Sequence, residues 1–149
     1  MSPLVCMWNS AVCVGSHSAG GLIVKDSGGT VVAAKGLVFE GVVDPLVVET
    51  ISLREALHCC QDLGIPQVRF EGDAKILIDK INAKDARDSR VGAIIKEILS
   101  LLRVHSGFCV RFVGRNSNRV AHSVARKTLS LSPASSRLYD FRAWVESRV

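Results

Sequence analysis

Glu49 and Asp73 are carboxylates placed where a chain turns from scaffold into site. Glu49 lies at the edge of an apolar helical stripe, and Asp73 follows a strand-like run where a helical pattern begins. A carboxylate beside apolar surface is costly unless a cation or a donor compensates it, so the pair marks a candidate metal site. Each residue also has a purely structural reading. Glu49 has the place of a half-buried glutamate near a positive helix N-terminus, and Asp73 that of an N-cap satisfying orphan amides. A third feature is cationic: Arg119, His122 and Arg126 recur at i, i+3 and i+7 on one side of the last long helical pattern. His122 is there either a ligand or a polar group on an exposed helix face.

The elements that must hold these groups are legible in the periodicity. Leu4 to Val14 reads as a strand, and Gly20 to Lys25 and Thr30 to Val38 as two more. The run Asp26-Ser27-Gly28-Gly29 joins the last two as a hairpin turn, in which Asp26 is a turn residue. From Asp44-Pro45 the pattern becomes helical: Leu46, Leu53, Leu57 and Cys60 share a face through Asp62, and Gly64-Ile65-Pro66 stops the helix. Glu49 precedes Leu53 by four and Ala56 by seven, which turns it toward the core stripe, whereas Glu55 points elsewhere. Val68 to Glu71 is a short strand, followed by a helical pattern through Ile76, Leu77, Ile78 and Ile81. A helix from about Val91 to Leu102, a strand from Phe108 to Val113 and a helix from Asn116 to Leu131 complete the order, and Ser132-Pro133 breaks the last. The fold class is α/β, a mixed sheet with helices rather than a pure βαβ repeat. The tail from Ala134 is expected either to pack loosely or to be disordered.

The chain has 149 residues and is 48% hydrophobic, enough for one substantial core and too little for two independent domains. Its longest apolar runs are strand-sized, well short of the roughly 20 residues of a membrane span. The Met-Ser-Pro-Leu start lacks the basic region of a secretory signal. Five cysteines without a Cys-x-x-Cys pair argue against a disulfide framework or zinc site and point to an intracellular compartment, cytoplasm or nucleus. No Gly-x-Ser-x-Gly run is present, and His17, His58, His105 and His122 show no ligand spacing. The net charge of +5 is unevenly spread: between Ile98 and Tyr139 there is no acid, against seven cations including Arg115, Arg119 and Arg126. Such a segment favours a polyanionic partner through counterion release.

Four motifs in order resemble type 1 ribonuclease H domains. They are Asp26-Ser27-Gly28-Gly29 after a Gly-Leu-Ile-Val strand, Glu49 before Leu53-Arg54-Glu55-Ala56-Leu57, Phe70-Glu71-Gly72-Asp73, and Arg115-Asn116-Ser117-Asn118-Arg119-Val120-Ala121-His122. The similarity is greatest to the plant branch, related to domains of non-LTR retrotransposons, and runs from about Trp8 to Leu129. It implies a domain over residues 4–131 with a tail over 132–149, and a five-stranded mixed sheet, first three strands antiparallel, flanked by helices. It further implies metal-dependent cleavage of the RNA strand of an RNA/DNA hybrid, with Mg²⁺ or Mn²⁺ held by four acidic residues. Glu49 and Asp73 match two of these. Asn9 and His122 stand at the other two, Asn9 as a weak metal ligand and His122 as a nitrogen better suited to Mn²⁺ than to Mg²⁺. Arg115, Asn116, Arg119 and Arg126 are the implied nucleic-acid contacts. The resulting expectation is a nucleic-acid-binding domain with weakened hybrid cleavage; the alternative is a non-catalytic module for nucleic acid or protein.

Overall fold

Asp26 closes the predicted hairpin, its Oδ1 accepting from the backbone N–H of Gly28 and of Thr30 at 2.9 Å each. A carboxylate that satisfies two turn amides fixes the register of the flanking strands, here β2 (His17–Lys25) and β3 (Val31–Glu40). The computed structural model describes residues 2–12, 17–42, 44–130, 138–140 and 142–146. β1 (Leu4–Val12) pairs antiparallel with β2, and β2 with β3. β4 (Val68–Gly72) runs parallel to β1, and β5 (Phe108–Phe112) parallel to β4. These five strands form the expected mixed sheet in the order β5-β4-β1-β2-β3.

The described part of the tail, residues 138–140 and 142–146, is ordered against the sheet rather than loose. Leu138–Asp140 adds a sixth strand, β6, antiparallel to the outer edge of β3, and Arg142–Glu146 forms a short helix, α5. The reason is a small apolar cluster in which Val145, fully buried, joins Ile23, Val31, Ala34 and Val124, with Trp144 packed against it. An ion pair from Lys35 Nζ to Asp140 Oδ2 at 3.7 Å and a bond from Arg142 N to Asp140 Oδ1 at 3.0 Å hold the corner. The Ser132-Pro133 break and the expected end of β1 at Val14 lie outside the described residues.

Helix α1 (Pro45–Asp62) begins where Asp44 Oδ1 accepts from Leu46 N at 3.0 Å and Pro45 occupies a position that needs no N–H. It ends at Gly64, whose φ of 68° is the left-handed conformation that closes a helix. Helices α2 (Lys75–Asn82) and α3 (Gly92–Val104) follow β4, and α4 (Arg119–Leu129) follows β5. Leu77, Ile78 and Ile81 of α2 are buried but Ile76 is exposed, because three consecutive helical positions span too wide an arc to share one face. The alternation of β2 separates the two cores. Leu22 and Val24 face the large cluster beneath α1, α2 and α3, whereas Ile23 faces the cluster under α4 and α5. Gly21 permits α4 to sit on the sheet: a Cβ there would lie 2.5 Å from Ala125 N and 2.7 Å from Ala121 O. Among the described residues, no helix is long and apolar enough to cross a membrane.

Candidate functional site

Neighbouring residues at the middle of β1 point to opposite faces of the sheet, and each reaches a different wall of one cleft. Ser10 Oγ donates to Glu49 Oε1 on α1 at 3.5 Å. Asn9 turns the other way, toward Asp73 beyond β4 and His122 on α4. Asn9, Ser10, Glu49, Asp73, Arg115 and His122 line an open cleft of about 370 Å³. Residues up to 113 positions apart in the sequence thus converge, and all four positions implied by the resemblance are among them.

The Asn9 side chain organises the cleft. Its Oδ1 accepts from Ser10 N at 2.8 Å, which fixes the amide orientation, since the reversed amide would set a donor against a donor. His122 Nδ1 lies 3.0 Å from the same oxygen, and the contact requires the proton on Nδ1. Asn9 Nδ2 then donates to Asp73 Oδ1 at 3.2 Å. The N-cap reading of Asp73 does not hold: α2 starts after Ala74 without a side-chain cap, and Asp73 is oriented from the core instead. Asn118, fully buried, donates from Nδ2 to Trp8 O at 2.9 Å and to Asp73 Oδ1 at 3.4 Å. This insertion also explains why the predicted helix from Asn116 starts late: Arg115–Asn118 is a tight 3-10 turn and α4 begins at Arg119.

Glu49 is half-buried, and desolvation together with the Asp73 charge pushes its carboxyl up to about 7, the Ser10 hydroxyl partly opposing them and Asp44 adding to the rise. Its half-buried place beside the core stripe is as expected, and burial first, then the Asp73 charge, raises its carboxyl. Chemically, the cleft offers carboxylate oxygens from Glu49 and Asp73. The Asn9 oxygen is engaged by Ser10 and His122, and its amide nitrogen, which cannot ligate a cation, is the atom facing Asp73. Among the described residues, no three His, Cys, Asp or Glu side chains are arranged to hold one ion. This donor set suits at most one divalent ion between Glu49 and Asp73, and it does not fit a pair.

Arg115 is the predicted nucleic-acid residue that joins the cleft. Asn116 and Arg119 are exposed in an adjoining cleft with Val120, Ser123, Trp144 and Val145. Arg126 is exposed farther along α4. The sequence reading gave Ser10 and Asn118 no role of their own. The signal available for Asn118 was a poor helix former just ahead of an amphipathic run.

Residues 9–128 match the reverse transcriptase-like family. The chain belongs to that family. No curated protein matches it. Among solved structures, this reverse transcriptase-like chain is similar to RNase H1 from the halophilic archaeon Halobacterium salinarum, with a TM-score of 0.78 and 19% identity over 86% of this chain and 98% of that one. The N-terminal RNase H domain of a Mycobacterium tuberculosis protein has a TM-score of 0.77 and 15% identity, covering 87% and 94%. LC11-RNase H1, isolated from compost and solved in complex with an RNA/DNA hybrid, has a TM-score of 0.74 and 13% identity, covering 85% and 99%. At these identities the likeness establishes the fold, which is ribonuclease H-like.

Proposed function

We propose that this domain binds RNA/DNA hybrids through their phosphates and that its capacity to cleave them is attenuated. The observation that carries the reading is the convergence of Asn9, Glu49, Asp73 and His122, with Arg115, on one open cleft. The hybrid bound by LC11-RNase H1 supports the substrate class. So does the acid-free stretch from Ile98 to Tyr139, which supplies Arg115, Arg119 and Arg126. A divalent ion, when bound, stabilises the charge that builds on the entering and leaving oxygens of a phosphodiester. Glu49 and Asp73 are the residues that would hold it, with Mg²⁺ or Mn²⁺ as the hard cation. Before Glu49 can ligate it must lose its proton, which burial and Asp73 retain up to about pH 7. Asn9 orients Asp73 and His122 without adding charge, so the two carboxylates carry the whole negative charge of the cleft. Arg115 and Arg119 place the phosphate backbone, a sequence-independent role.

A cleavage assay on an RNA/DNA hybrid with Mg²⁺ and with Mn²⁺ tests this, comparing the native chain, the double variant Asn9→Asp with His122→Asp, and that variant carrying Asp73→Asn. The double variant should cleave faster than the native chain, and Asp73→Asn should abolish the gain. A native chain as fast as the double variant would refute attenuation. Hybrid affinity should fall steeply from low to moderate salt; binding insensitive to salt would refute the phosphate contacts.

A further inference from the structure

The C-terminal segment does more than cover the edge of the sheet. The cleft between α4 and α5 encloses about 460 Å³ and is lined by Asn116, Arg119, Val120, Ser123, Trp144 and Val145. It shares the Arg115–Asn118 turn with the acid-bearing cleft, Arg115 facing one and Asn116 the other. Trp144 is only partly buried: like Val120 it packs against the small core, and it also lines this cleft. The lining therefore combines an aromatic side chain from α5 with a guanidinium and an amide from α4 and the turn before it. Neither an apolar ligand nor a free anion uses both kinds of group. A sugar–phosphate unit does, with an apolar sugar face and an anionic phosphate.

We propose that this cleft is a subsite of the nucleic-acid interface, in which Trp144 packs against a sugar while Arg119 and Asn116 contact the adjoining phosphate; the Ser123 hydroxyl, which donates to Arg119 O at 3.0 Å, only lines the cleft. The inference rests on the hybrid-binding reading above and adds α5 to the surface that carries it. A backbone whose phosphates pass Arg115 continues past Asn116 and Arg119 into the cleft, so the occupant is the next part of the same strand. The contact is with the backbone and reads no base.

The test measures binding of a short fluorescein-labelled RNA/DNA hybrid to the full chain by anisotropy. Trp144→Leu keeps an apolar side chain on the core but removes the ring, and Ser123→Glu sets a carboxylate in the exposed cleft without touching the core. Each should weaken binding roughly fivefold or more, and Trp144→Phe should retain most of the affinity. In the native chain, unlabelled hybrid should protect Trp144 from acrylamide quenching; Trp8, 1% exposed, contributes a constant background. If the native chain binds hybrid and Arg115→Ala weakens it, yet Ser123→Glu binds like the native chain and acrylamide quenching is unchanged, the subsite is wrong and the hybrid-binding reading stands. A native chain that binds no hybrid overturns both.

Discussion

Replacing Glu49 by Gln should stabilise the protein at pH 8 and leave it unchanged at pH 4, when divalent ions are removed by a chelator. In the folded protein the Glu49 carboxyl titrates at about 7 against an ordinary value of 4.5. Between these values the native state holds a proton that the unfolded chain has released, so stability falls as pH rises through the window. Full displacement corresponds to an upper bound of roughly 3.4 kcal/mol. Glu49 is only half-buried, and solvent screening reduces this to about 1–2 kcal/mol. Gln keeps the shape and can still accept from Ser10, but it carries no charge to be repelled by Asp73. Urea unfolding of the native chain and of Glu49→Gln across pH 4 to 8 measures the difference directly. The gap should open with pH and be complete above about 7. A constant gap at all pH values, or a Gln variant less stable at pH 8, would show that Glu49 is not held in a repulsive, desolvated position.

Asn9→Asp removes the donor to Asp73 at 3.2 Å and sets two carboxylates together; it should lower stability by roughly 1–2 kcal/mol without divalent ions, and added Mn²⁺ should restore the melting temperature. Asn118→Ala deletes the buried donor to Trp8 O and Asp73, a loss of about 1–3 kcal/mol that urea titration would detect. Gly21→Ala forces a methyl against the α4 backbone; a destabilisation of at least about 1–3 kcal/mol is expected, and an unchanged denaturation midpoint would contradict the close approach of α4 to β2. Phe70→Ala empties a fully buried site packed edge-on against Phe108 with ring centroids 5.2 Å apart, at a cost of about 3–5 kcal/mol by the same measurement.

Much of the architecture was legible because it is local. The Asp26 turn follows from carboxylate and glycine chemistry over a few residues, and α1 announces itself through Asp44, Pro45 and Gly64 at its two ends. The periodicity of α1 is written in residue order, and so was the orientation of Glu49. The tail was read as loosely packed or disordered because three strand residues and five helical ones carry too little pattern to signal structure. Their order comes from the edge of β3 and from the buried Val145.

The sequence by itself determined which residue types stand at the four family positions and that cations, without acids, fill the stretch after Ile98. Those are properties of covalent order, and no packing can alter them. Tertiary structure alone decided what the side chains do. Asn9 is neither a plain strand residue nor a free ligand, because Ser10 N fixes its amide and turns the nitrogen to Asp73. His122 stays exposed on α4 as read, yet it meets the Asn9 oxygen because Gly21 lets α4 settle onto the sheet beside Asn9. Hydrogen-bond direction and the desolvation of Glu49 depend on groups tens of residues away, and distances of that kind exist only after the chain has folded.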